Sequence, residues 1–426
     1  MSIKDLLAHQ ELIFLDGGMG TLIAENYPLP LGRPPEEVNL LSPETLVMLH
    51  KHYLDAGSDI ILTNTFGASR PKLHKYGLDI KDVIQSAVQC ARTATEQYSN
   101  RYVGLDIGPT GQLIEPMGTL SFEEAYELFR EQVVFGSPDA DLIYIETMAD
   151  LYEMRAAILA AKENSDKPVF ATMTFDKTGR TFAGCDAASV ATTLTALGAD
   201  AIGLNCSLGP KELLPIMKEV MAHTPLPLII KPNAGLPKLI DGRNVFELTA
   251  EQFADELKAY AQLGVRIFGG CCGTTPNFIR LSKQVVKDCY TPRTAYRPKS
   301  IICSGNKAVE ITGVKVVGER INPTGKKKMK EALKSNDIGY ILKQAAEQIE
   351  AGADILDVNV GLPDIDQISA MNRIIKALQA ITILPLQIDS NEPEVLRSAL
   401  RVYNGKPIVN SVPGEQASMD AILPII

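Results

Sequence analysis

The sequence predicts an α/β protein: a (β/α)8 TIM barrel over residues 1–290, then a second, incomplete (β/α) barrel over residues 311–426. Three observations carry that prediction. Short apolar runs alternate with amphipathic stretches up to about residue 290, the rhythm breaks at 291–310, and four more units follow. The first eight runs are 12–18 (LIFLDGG), 59–66 (DIILTNTF), 102–108 (YVGLDIG), 141–147 (DLIYIET), 169–175 (VFATMTF), 201–207 (AIGLNCS), 227–233 (PLIIKPN) and 266–272 (RIFGGCC). Nearly continuous apolar runs suit strands buried on both faces, as in a parallel sheet. Eight strand–helix units in about 290 residues match the count and size of one barrel. An open doubly wound sheet is the competing arrangement, but the chain shows no clear nucleotide fingerprint.

Helix start signals fall between the runs, as at Ser42-Pro43-Glu44 and at Ser121 before FEEAYELFREQ. Gly-x-Asp precedes a strand at Gly57-Ser58-Asp59, Gly198-Ala199-Asp200 and Gly352-Ala353-Asp354, a weak echo of one repeated unit. Residues 291–310 gather Pro, Ser, Gly and basic residues and read as a linker. Runs then return at 314–320, 354–360, 384–389 and 406–411. Four units are half a barrel, so the second segment is expected to be the N-terminal half of a larger one.

Composition excludes several classes. Of 426 residues, 45% are apolar and 22% charged, enough to bury a substantial core. No run approaches the roughly 18 apolar residues that span a bilayer. The N-terminal stretch is interrupted by Asp5, His9, Gln10 and Glu11, so it does not read as a secretory signal. Net charge is −9 and the longest basic cluster is Lys326-Lys327-Lys328, which argues against a nucleic-acid partner. Seven cysteines, an odd number, argue against a disulfide framework. A cytoplasmic protein with no membrane partner is expected.

In such a barrel the strand C-termini hold the chemistry. Those ends supply Asp16, Asn64, Asp106, Glu146, Cys206, Asn233 and the pair Cys271 and Cys272. Any one of them alone is more simply a turn former or helix cap. The cysteines stand apart, because Cys206 ends the sixth run and the vicinal pair ends the eighth, at one rim. Adjacent residues of an extended strand point to opposite faces, so the pair shares a ligand only if Gly269, Gly270 and Gly273 break the strand. Three thiolates suit zinc and leave a fourth position open, the mark of a catalytic site. A redox pair is the alternative for adjacent cysteines. Cys90, Cys185, Cys289 and Cys303 read as small core residues.

These motifs resemble the homocysteine S-methyltransferase family. The matching stretches are Asp16-Gly17-Gly18-Met19-Gly20-Thr21, Thr63-Asn64-Thr65-Phe66-Gly67-Ala68, Asp106-Ile107-Gly108-Pro109-Thr110-Gly111, Asn205-Cys206-Ser207, Lys231-Pro232-Asn233-Ala234-Gly235 and Gly269-Gly270-Cys271-Cys272-Gly273-Thr274. The resemblance implies zinc on Cys206, Cys271 and Cys272, with a homocysteine thiolate as nucleophile. It also implies that Glu146 and the turn Asp16-Gly17-Gly18, with Asn233, hold the amino-acid end. Pro138, in Gly136-Ser137-Pro138-Asp139, departs from the family pattern and predicts a shortened helix.

The second segment resembles the pterin-binding domain of the cobalamin-dependent methionine synthase family, through Gly318-Glu319-Arg320-Ile321-Asn322-Pro323-Thr324-Gly325, Asp354-Ile355-Leu356-Asp357-Val358-Asn359, Asp389 and Asn410. By that resemblance Glu319, Asn322, Asp357, Asn359, Asp389 and Asn410 contact methyltetrahydrofolate, the methyl donor. None of the five histidines lies in the Asp-x-His-x-x-Gly signature of a cobalamin module, so the corrinoid carrier is expected on another module or protein. The expected activity is methionine formation from homocysteine. The alternatives are a cobalamin-independent enzyme using a sulfonium or betaine-type donor, a fusion to a flavin-dependent folate reductase, and a non-catalytic zinc or thiol binder.

Overall fold

The computed structural model describes residues 3–9, 12–240 and 243–426. The chain forms two compact units, Met1–Ala183 with Leu197–Tyr296, and Gly184–Ala196 with Arg297–Ile426.

The first unit is built on eight parallel strands. They are β1 (Ile13–Phe14), β2 (Ile60–Leu62), β3 (Tyr102–Ile107), β4 (Leu142–Met148), β5 (Val169–Met173), β6 (Ala201–Asn205), β7 (Leu228–Lys231) and, after an antiparallel pair of β8 (Pro237–Ile240) and β9 (Arg243–Phe246), β10 (Ile267–Phe268). Their order is β1-β10-β7-β6-β5-β4-β3-β2. Carboxylates help close the seam between β1 and β2. Asp59 donates its N–H to Phe14 O at 2.6 Å and accepts the Phe14 N–H on Oδ2 at 2.9 Å. Asp16 Oδ2 accepts the Leu62 N–H at 2.7 Å. Alternate residues point inward, and Ile13, Leu15, Ile60, Leu62, Tyr144 and Phe170 share one buried cluster.

Both start signals fall at helix N-termini, although of the two serines Ser121 alone caps with its side chain. Helix Phe122–Gly136 begins with a reciprocal Ser121–Glu124 capping box, and Pro43 opens helix Pro43–Ala56, which ends at Gly57 with φ 105°. Pro138 lies in a short 3-10 turn, Ser137–Asp139, directly after the 15-residue helix, so the helix stops there without being short. The Gly-x-Asp echo has a physical role. Asp59, Asp200 and Asp354 each accept the N–H at the start of a neighbouring strand, from Phe14, Val169 and Val316, at 2.8–2.9 Å. Asp141 does the same for Val103 at 2.7 Å.

In the second unit β11 (Ile301–Ser304) and β12 (Ala308–Glu310) pair antiparallel. A parallel sheet follows, of β13 (Val317–Ile321), β14 (Ile355–Asn359), β15 (Leu386–Asp389) and, after the short β16 (Gly405–Lys406) that pairs with β11, β17 (Ile408–Asn410). In the stretch expected to be a linker, residues 291–300 hold no helix or strand, but β11 and β12 occupy its second half. Their few apolar residues bracket a Gly-Asn-Lys turn, too short a pattern to stand out from a loop. Helix Ala187–Ala196, in the crossover from β5 to β6, also belongs to this unit, where Thr193 Oγ1 lies 3.3 Å from Cys303 Sγ. Among the described residues no helix is long and apolar enough to cross a membrane.

Candidate active site

The strand C-termini of the first unit open on a cavity of about 1130 Å³. Asp16, Asn64, Asp106, Glu146, Cys206, Cys271 and Cys272 all line it, as do Gly17, Gly18, Met19 and Lys231. Asn233 does not line it; its Oδ1 accepts the Cys272 N–H at 3.1 Å and so holds the cysteine turn.

The three sulfurs lie within 4.8 Å of one another, and Cys206 Sγ is 4.0 Å from Cys272 Sγ. A tetrahedral zinc with sulfurs at about 2.3 Å holds them about 3.8 Å apart, so this donor set fits zinc with one position left over. The backbone makes the cluster possible. β10 ends at Phe268, and Cys271 and Cys272 sit in a turn whose next residue, Gly273, has φ 78°. Thr274 closes that turn by donating its hydroxyl to Cys271 O at 2.7 Å. Opposite, Cys206 and Ser207 take φ 57° and 54°, left-handed values that non-glycine residues seldom adopt away from functional sites. Within the cluster, Cys271 lowers the Cys206 thiol while Cys272 and burial raise it, leaving it at about 12. Uptake of a cation therefore has to displace protons.

Beside the sulfurs lies a buried acidic group. Asp16, Asp106 and Glu146 are each at most 6% exposed. Burial raises Asp16 to about 7 against the pull of Lys231, and burial and Glu146 push Asp106 well above the usual carboxylate range. Asp16 Oδ1 and Asp106 Oδ1 are buried without a hydrogen-bond partner among the described residues. Lys231 Nζ donates to Glu146 Oε2 at 2.9 Å and lies 4.0 Å from Asp16 Oδ1. Sequence reasoning did not single out Lys231, although its motif was visible. The glycine turn is tied to the cysteine turn: the Gly18 N–H donates to Thr274 Oγ1 at 3.1 Å.

In the second unit the polar residues expected to meet a pterin gather at the C-terminal ends of the sheet. Asn322 Nδ2 donates to Glu319 Oε1 at 3.1 Å, and Asn359 Nδ2 to Asp389 Oδ2 at 2.9 Å. Asp389 pairs in register with Asn359 on one side and Asn410 on the other. Asp357 accepts from Gln387 at 2.7 Å on Oδ1, while its buried Oδ2 has no partner among the described residues.

Comparison with known proteins shows that the homocysteine S-methyltransferase profile matches residues 13–286, well over half of the chain. The chain belongs to that family. A homocysteine methyltransferase, MmuM from Escherichia coli, solved in a metallated form, superposes with TM-score 0.57 at 25% identity, covering 66% of this chain and 99% of that one. The pterin binding enzyme profile matches residues 318–426. Methionine synthase of Mycobacterium tuberculosis is 32% identical over 96% of this family member, and that of Mycobacterium leprae 30% identical over 95%. The chain spans 36% of the length of each of these two relatives.

Proposed function

We propose that this chain forms methionine by methyl transfer to homocysteine, with residues 1–290 as the homocysteine module and 311–426 as part of a pterin module. The observation that carries the reading is the convergence of three thiols from two strand ends on an acid-lined cavity. Cys206, Cys271 and Cys272 would hold zinc. When bound, zinc supplies a Lewis acid whose open position stabilises an incoming thiol as a thiolate. Asn233 and Thr274 keep the cysteine turn in place for that, through their bonds to Cys272 N–H and Cys271 O. Glu146 and Asp16 offer carboxylate oxygens to the substrate ammonium. Met19 and Gly20, lining the cavity at the start of helix Met19–Asn26, offer backbone N–H groups to its carboxylate.

The methyl group would come from methyltetrahydrofolate. Glu319, Asn322, Asp357, Asn359, Asp389 and Asn410 present the alternating donors and acceptors that a pterin's amide and amino edge requires. Transfer would pass through a cobalamin carrier held by a module or protein outside these residues. The names of the two mycobacterial relatives support this reading, as does the metallated form of the Escherichia coli relative. The cytoplasm suits it, since thiols stay reduced there.

The alternative is direct use of a sulfonium or betaine-type donor. The acidic cavity, with Phe66 and Phe246 in its wall, favours a cation at its mouth. Methionine formation by the zinc-loaded chain, supplied with homocysteine and either methylcobalamin or a sulfonium donor, separates the two. Turnover with methylcobalamin alone supports the proposal. Turnover with the sulfonium alone replaces it with the alternative, and no methionine from either donor overturns both.

A further inference from the structure

Lys231 is the single cation among the described residues that line the cavity, against five acidic side chains. Four of the acids, Asp16, Glu36, Asp106 and Glu146, are buried as it is. Its ammonium is 3% exposed by residue, bonded to Glu146 at 2.9 Å, 4.0 Å from Asp16 and 5.6 Å from the centroid of the Tyr144 ring. A lysine at the end of a buried strand has no solvent to reach, so its charge is held here by the acids and spends its field on them. Two carboxylate oxygens, Asp16 Oδ1 and Asp106 Oδ1, still lack hydrogen-bond partners among the described residues. Both oxygens are therefore open to a hydrogen-bond donor such as an ammonium, and Lys231 is the positive charge set against the acids around them.

We propose that Lys231 is a positioning residue that fixes the net charge of the thiol this cavity accepts. With Lys231 answering part of the acidic field, the remainder suits a zwitterion, whose ammonium meets the acids and whose carboxylate is still tolerated. Without that charge, the same acids favour a thiol that bears an ammonium and no carboxylate. The inference deepens the homocysteine reading above and rests on it.

The test compares homocysteine with its decarboxylated analogue homocysteamine, by calorimetric binding to the full zinc-loaded chain. Lys231→Met and Lys231→Gln should each shift the affinity ratio towards homocysteamine by about tenfold or more, since a buried unit charge a few ångströms away is being removed. Lys231→Arg should leave the ratio within about threefold, because it keeps the charge. The Gln variant retains an N–H donor for Glu146, so it reports on charge if the Met variant does not fold. A purely structural lysine would weaken both ligands together, and a ratio unchanged in the charge-removing variants overturns its role. Wild-type protein that holds zinc yet binds neither thiol overturns the homocysteine reading, and this inference with it.

Discussion

The side-chain amide of Asn205 grips Thr147 at two points, accepting its backbone N–H on Oδ1 at 2.8 Å and donating from Nδ2 to its Oγ1 at 2.7 Å. Asn205 directly precedes Cys206, and Thr147 directly follows Glu146. Thr147 and Cys206 both hold left-handed backbone, with φ 60° and 57°. One buried amide thus fixes the acid and the thiol relative to each other. Asn205→Ala should destabilise the protein by about 2–3 kcal/mol by orphaning buried polar groups. It should also weaken zinc binding by about 10- to 100-fold, the usual effect of losing a group that orients a ligand. Denaturant titration and chelator competition measure the two effects. Unaltered zinc affinity would show that Cys206 holds its place without this clamp.

Two neighbouring glycines should behave oppositely. A Cβ on Gly18 would stand 2.8 Å from Cys271 O, so Gly18→Ala must displace the cysteine turn. Gly20 has nothing within 4 Å of that position and lies inside helix Met19–Asn26. Gly20→Ala should be neutral or stabilising by up to about 1 kcal/mol. Melting temperature and metal content of the two variants check this, and equal behaviour would contradict the close packing of turn against loop.

His50 should set part of the acid limit of stability. It is fully buried, neither ring nitrogen has a hydrogen-bond partner among the described residues, and burial lowers its pKa from 6.5 to about 3. Between those values the unfolded chain binds a proton that the folded chain refuses. Stability is therefore complete above pH 6.5 and falls as pH drops towards 3. At pH 5 the loss from this residue is about 2 kcal/mol. His50→Leu should flatten the acid limb of a stability–pH curve, and a curve of unchanged slope would contradict the assignment.

Asp357 should trade stability for binding. Burial raises it to about 6, against the pull of the Gln387 hydrogen bond. A carboxyl raised in the fold favours folding below its ordinary pKa of 3.8 and loses that contribution as pH rises towards 6. At pH 7 Asp357→Asn should therefore stabilise the protein, by on the order of 1 kcal/mol. The same change removes a carboxylate acceptor from the proposed pterin site, so pterin affinity should fall. Stability rising without loss of pterin affinity would remove Asp357 from that site.

The barrel was legible because parallel strands buried on both faces leave continuous apolar runs, and because polar residues ending those runs must converge at one mouth. Register was less so. The run at 12–18 yields a regular strand only at Ile13–Phe14, since the Asp16 carboxylate takes over the bonding to the next strand. The pair β8 and β9 was missed although Asp241-Gly242, outside the described residues, carries a known hairpin composition. Lys231 and Asn205 were hidden for another reason. A lysine before proline and an asparagine before cysteine look like ordinary strand ends, and only the closed sheet brings Lys231 to Glu146, 85 residues away, and Asn205 to Thr147, 58 residues away.

The most direct test of the central claim is zinc content, with zinc K-edge absorption before and after homocysteine, for wild type and Cys206→Ala. About one zinc per reduced wild-type chain, one further sulfur neighbour on adding homocysteine, and loss of zinc in the variant are the predicted results. Freshly reduced protein without zinc, or full zinc retention by Cys206→Ala, would contradict a site made by these three cysteines.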